Sequence, residues 1–168
     1  MSKIETHPFP PFVPSNATVL ILGSFPGKEH TQSKPDEEAW FYGAKRNQFW
    51  KILSSVYGEE FIDVSSKKSL FEKHGIAITD IFYSLKRLKD SNLDTNLEIA
   101  EYNDDAILGI LKNDKIKSIF FTSKFVEQQF KKRFPSVSIG EYLPSPSPRY
   151  ARITLERKIE IYKDKLPK

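Results

Sequence analysis

The 168-residue chain has no cysteine, which excludes disulfides and thiolate metal sites and suits a reducing compartment. Histidine is scarce as well. His7 lies in a proline-rich tail, and His30 and His74 stand too far apart for ligand spacing, so neither metal nor cofactor is expected. No apolar run approaches the length of a membrane span, and the N-terminus lacks the basic and apolar regions of a signal peptide, so the expected location is the cytoplasm. A nucleotide-phosphate loop is also missing. Three residues separate Gly23 from Gly27 where that motif requires four, and Glu29 follows Lys28 where a Ser or Thr should stand.

What is present fits one domain large enough to bury a substantial core. Residues 1–17 interleave Pro8, Pro10, Pro11 and Pro14 with Phe9 and Phe12, which excludes a regular helix or an inner strand; an extended arm pinned by its aromatics is expected. Residues 18–168 form the domain itself. Thr18-Val-Leu-Ile-Leu-Gly23 reads as a strand buried on both faces, and Gly23, Pro26 and Gly27 force a loop at its carboxyl end. Open α/β sheets hold their ligands at that edge.

Further inner strands are expected over Gly75–Asp80, Lys117–Thr122 and Val137–Leu143. Helices are expected near Asn47–Tyr57, Ser66–Lys73, Asp104–Lys112, Lys124–Phe134 and Leu155–Lys163, the last capped by Thr154. The alternation implies a three-layer α/β/α domain around a four-stranded parallel sheet. Two loops stand out, a long one through Lys34 and Asp36 to Tyr42 and a stiff one at Pro144–Tyr150. The net charge is a mild +4, with basic clusters at Lys86–Lys89, Lys131–Arg133 and around Arg149, Arg152 and Arg157. Such clusters suit a polyanion, although solvated helix faces would read the same way.

Five segments, in this order, carry a family resemblance: Gly23-Ser-Phe-Pro26, Phe41-Tyr-Gly-Ala-Lys-Arg-Asn-Gln-Phe-Trp50, Gly75-Ile-Ala-Ile-Thr-Asp80, Ser91-Asn-Leu-Asp-Thr-Asn96 and Leu143-Pro-Ser-Pro-Ser-Pro148. The set resembles the uracil-DNA glycosylase superfamily, closest to its hypoxanthine-DNA glycosylase branch and similar also to mismatch-specific uracil/thymine glycosylases. The resemblance implies a repair enzyme that binds DNA, flips out a deaminated or mismatched base (uracil, hypoxanthine or thymine) and hydrolyses its N-glycosidic bond; no lysine is recognisable as a nucleophile, so a monofunctional enzyme is expected, and a monomer. An alternative is a catalytically idle DNA binder on the same fold.

Under the resemblance, Asn47 and Asp80 are the catalytic candidates, and Ser24, Phe25, Tyr42 and Thr122 line the base pocket. Tyr42 takes the place of the stacking aromatic, and such a platform recovers roughly 1–3 kcal/mol per base. Asn47 can bind the base, orient water or simply cap the helix that follows it. Asp80 can accept an N–H from the base or align a water, and its structural alternative is a turn cap or an ion pair with Arg87. Ser145, Ser147, Pro148 and Arg149 are the expected DNA contacts. Three positions depart from better-known branches. Phe25 stands where a polar residue positions the attacking water, Thr122 where related hypoxanthine glycosylases have asparagine, and Leu143 where the classical uracil enzymes have histidine.

Overall fold

The computed structural model describes residues 3–34 and 36–168; Met1 and Ser2 of the arm and Pro35 of the long loop lie outside the described residues. In chain order the elements are β1 (Glu5–Thr6), β2 (Val19–Gly23), α1 (Lys28–Thr31), α2 (Phe49–Tyr57), α3 (Val64–His74), β3 (Ile76–Asp80), β4 (Phe82–Arg87), β5 (Leu97–Tyr102), α4 (Asp104–Leu111), β6 (Ser118–Phe121), α5 (Lys124–Arg133), β7 (Glu141–Tyr142) and α6 (Leu155–Lys165).

Four strands make a parallel sheet in the order β3-β2-β6-β7, as the alternating pattern requires. Every residue of β2 is buried, because both faces of the strand are covered. Val19 and Ile21 point into a cluster with Ile52, Leu53, Leu70, Phe71 and Tyr162 from α2, α3 and α6. Leu20 and Leu22 point the other way, into a cluster with Ile107, Ile110, Val126 and Phe130 from α4 and α5. The result is the expected three-layer sandwich. Burying each of these aliphatic side chains contributes about 1.5–3 kcal/mol.

Local signals set the boundaries. Asp63 and Ser66 form a reciprocal cap on α3, and Gly75 ends that helix at φ 64°, a left-handed turn that favours glycine. Ser123 caps α5 and Thr154 caps α6, each side chain accepting from a backbone N–H of the first turn.

Besides the short helix α1 in a segment expected as loop, two larger features depart from the sequence expectation. A second, antiparallel sheet, β1-β4-β5, packs on the α4/α5 side, with Phe82 and Leu85 in the core there. Register shifts around Ser84 break the apolar alternation of β4, and its inward position 87 is an arginine, so the strand does not read as one. The fourth parallel strand is also short, Glu141–Tyr142 only, because Gly140 at φ 140° interrupts the extended run.

The arm is built into the fold. Glu5 and Thr6 pair with Leu85 and Ser84, and Phe12 bridges Ile78, covering the outer edge of β3. Between these anchors lies His7.

Candidate active site

Strands β2, β3 and β6 all end at one edge, and the loops there enclose a cleft of about 1010 Å³. All ten sequence candidates line it: Ser24, Phe25, Tyr42, Asn47, Asp80, Thr122, Ser145, Ser147, Pro148 and Arg149.

At its floor, Gly23 makes room for two groups. A Cβ at that position would lie 2.2 Å from the Tyr42 hydroxyl and 2.5 Å from Asp80 Oδ1, so only glycine lets them meet over the strand end. The Tyr42 hydroxyl shares a 2.9 Å hydrogen bond with Thr122 Oγ1, and one face of its ring stacks on Phe49 at 4.1 Å. The opposite face is the one available to a ligand. Tyr42 holds this pose at φ 57°, a conformation that costs an aromatic residue about 1–3 kcal/mol and is retained where the surroundings over-determine it. Burial, and next the Asp80 charge, push its phenol well above the ordinary range, so it is a neutral hydroxyl.

Asp80, 4% exposed, does not pair with Arg87. Its Oδ2 lies 2.6 Å from His7 Nε2, a contact spanning 73 residues. Both side chains are almost wholly buried. His7 Nδ1 accepts the Phe9 amide at 3.0 Å, so the proton of the neutral ring sits on Nε2 and is donated to Asp80. Phe9, Phe25 and Phe41 box the imidazole, with Phe25 edge-on at 5.5 Å. Sequence reasoning passed over His7 because nothing local connects an arm residue to a strand end; the only trace was that an apolar arm carries one histidine.

Arg87 performs a different task. Buried to 3% exposure, it donates to Glu5 Oε1 (3.1 Å), Asn92 Oδ1 (2.9 Å) and the Pro26 carbonyl (2.7 Å). It thereby ties the arm, the Ser91–Asn96 segment and the loop after β2 into one wall. The Ser24, Phe25 and Gly27 amides of that loop donate in none of the loop and turn hydrogen bonds among the described residues.

Asn47 precedes α2, whose N-cap is Gln48, yet Asn47 Oδ1 does accept the Phe49 amide at 2.9 Å. The capping role is therefore real, one position early. With one lone pair of its oxygen engaged in this way, Asn47 keeps both Nδ2 donors for the cleft.

The proline loop is held from behind. Tyr162 Oη donates to the Pro144 carbonyl, the Gln48 amide to that of Pro146, and the buried Lys158 ammonium to that of Ser147, at 2.6, 2.8 and 3.2 Å. Ser145 and Ser147 each accept a backbone N–H two residues on, so each hydroxyl proton is free to donate outward. Lys45, Arg46, Lys124 and Arg149 surround the opening and take part in none of the ion pairs among the described residues. In the other basic clusters several cations are paired: Arg133 with Asp104, Lys131 with Glu127 and Arg157 with Glu160. Among the described residues no His/Cys/Asp/Glu group is placed to hold a metal, and no helix is long and apolar enough to cross a membrane.

A hydrogen-bonding chamber at the carboxyl edge of the sheet, with an aromatic platform inside it and exposed cations at its mouth, suits a planar group attached to a polyanion. The comparisons define the class further. The model of the uracil-DNA glycosylase superfamily matches residues 10–165, so the chain belongs to this superfamily and is by class a DNA N-glycosylase. A hypoxanthine DNA glycosylase of Methanosarcina barkeri is 30% identical over 118 residues, 69% of this chain and 70% of the relative. A second, from Methanosarcina acetivorans, is 29% identical over 98 residues, 57% of this chain and 58% of the relative. The NMR structure of a proposed uracil-DNA glycosylase from Methanosarcina acetivorans superposes with a TM-score of 0.74 at 21% identity, covering 96% of this chain and 98% of that one, which is a likeness of fold.

Proposed function

We propose that this chain hydrolyses the N-glycosidic bond of a deaminated base, hypoxanthine or uracil, with mismatched thymine a further candidate, after flipping it from DNA into the cleft. It acts as a monofunctional cytoplasmic monomer without metal or cofactor. The observation that carries the reading is the convergence of Tyr42, Asn47, Asp80 and Thr122 on one chamber, beneath a serine-proline loop and unpaired cations. The relatives named hypoxanthine DNA glycosylase support that base in particular.

Unstacking costs a few kcal/mol, which the free face of Tyr42 offsets by stacking. Asp80 accepts the ring N–H of the base. As the bond breaks, positive charge grows on the sugar and negative charge on the base. Asn47 Nδ2 and the Ser24, Phe25 and Gly27 amides supply donors to the departing base, and no group has to deprotonate water early. This accounts for Phe25 at the place of a water-positioning residue. The proposed reaction involves no covalent lysine intermediate and no strand cleavage. Outside, Ser145, Ser147 and Arg149 hold phosphates, and Pro148 occupies the space the base leaves.

The test is a single-turnover assay on duplexes containing hypoxanthine, uracil or a thymine mismatch, with alkali revealing abasic sites and Asn47→Ala as control. Excision that the variant loses supports the proposal and names the base. Retained DNA binding with no excision of any base refutes it in favour of the idle binder.

A further inference from the structure

Resting on that reading, we infer that His7 of the arm is a positioning residue of the base pocket. By donating its Nε2 proton to Asp80 it fixes this carboxylate as an acceptor, so that the pocket selects a base with a ring N–H. Deamination creates that difference: N1 of adenine and N3 of cytosine carry lone pairs, whereas the same atoms of hypoxanthine and uracil carry protons.

The geometry supports each step. His7 Nδ1 is occupied by the Phe9 amide, so the ring presents one donor to Asp80 and cannot accept from it. The backbone of Asp80 is held as well, its carbonyl accepting from Asn103 Nδ2 at 2.9 Å, and the Tyr42 hydroxyl stands near Oδ1 over Gly23. The imidazole is itself held: His7 N–H bonds the Tyr83 carbonyl, Glu5 and Thr6 pair with β4, and Arg87 clamps Glu5. Phe25 gains a reason here. Its ring packs T-shaped against His7, so the apolar residue in the first motif and the histidine in the arm are two halves of one arrangement.

The experiment measures single-turnover excision and equilibrium binding on duplexes with hypoxanthine, adenine, uracil or cytosine, each opposite an abasic site so that pairing is the same for all. The proteins are the wild type, His7→Ala, His7→Gln, Asp80→Asn and the His7→Ala/Asp80→Asn double variant. Loss of one charge-assisted hydrogen bond predicts a drop in hypoxanthine excision, and in hypoxanthine-over-adenine binding, on the order of 10- to 100-fold for His7→Ala. His7→Gln, which can place an amide N–H at the same reach, restores most of both. His7→Ala adds nothing in the Asp80→Asn background, because His7 acts only through that side chain. Asp80→Asn lowers the uracil-to-cytosine ratio, since His7 takes the amide oxygen and leaves the NH₂ facing the base.

A His7→Ala protein that excises and discriminates like the wild type overturns the inference, as do additive effects in the double variant or a His7→Gln protein as impaired as His7→Ala. A wild type that binds hypoxanthine over adenine without excising it refutes the enzymatic reading alone, and loss of that preference in His7→Ala still upholds the inference. A wild type that neither excises nor discriminates overturns both.

Discussion

Gly23→Ala is the smallest change that tests how the floor of the site is made. Its methyl group would need 3.4 Å or more from its neighbours but would stand 2.2 Å from the Tyr42 hydroxyl and 2.5 Å from Asp80 Oδ1. Each polar atom must retreat by roughly 1 Å to reach ordinary contact. Neither can do so freely, because Tyr42 is held by Thr122 and by the Phe49 stack, and Asp80 by His7. Overpacking of this kind costs about 1–3 kcal/mol of stability. A displacement of about 1 Å among groups that must align on a substrate costs about 100-fold in rate. Thermal melting should therefore show a modest loss and single-turnover excision a large one, with the melting loss partly relieved in Gly23→Ala/Tyr42→Phe, where the nearer clashing atom is gone. A Gly23→Ala protein with wild-type excision would refute the claim that the hydroxyl and the carboxylate must meet over this strand end.

Arg149→Ala should weaken duplex binding and reduce the slope of log affinity against log salt by about one unit, since one phosphate contact is lost; an unchanged slope means that Arg149 touches no phosphate. Tyr42→Phe should flatten the alkaline loss of stability. The folded-state pKa of Tyr42 lies above its ordinary value of 10.0, so its contribution is fully present below pH 10 and is lost as pH rises beyond it; melts from pH 8 to 11 should diverge only above 10, and parallel curves would contradict the buried hydroxyl. Lys158→Met removes the donor to Gln48 Oε1 and the Ser147 carbonyl and should cost about 1–3 kcal/mol by chemical denaturation. The same variant should expose the 144–150 loop to proteolysis, and unchanged cleavage there would mean that the loop holds its shape without the ammonium.

The parallel sheet was legible because buried strands advertise themselves: Val19–Leu22 and Ile76–Ile78 are unbroken apolar runs, and Gly75 and Thr154 mark helix ends by local chemistry. The antiparallel sheet was not, since β4 and β5 mix exposed and buried positions and β4 is bulged. For the site, the family resemblance supplied the ten candidates, whereas their partners depended on tertiary contacts. Asp80 was readable as a strand-end carboxylate, but its choice of His7 over Arg87 follows from where the arm runs. Arg87, placed in a surface basic cluster by composition, is instead a buried tie whose partners lie in four separate segments.

The docked arm also bears on when during synthesis the pocket can exist. Glu5 meets Arg87 across 82 residues and His7 meets Asp80 across 73, so the arm has nothing to dock on until β3 and β4 have emerged from the ribosome. Until then Phe9 and Phe12 remain solvent-exposed, a natural target for a chaperone. The opposite wall waits longer still, because the loop at 144–150 needs Lys158 and Tyr162 behind it. A nascent chain therefore carries every residue of the floor well before it carries a pocket, and competence arrives in one late step.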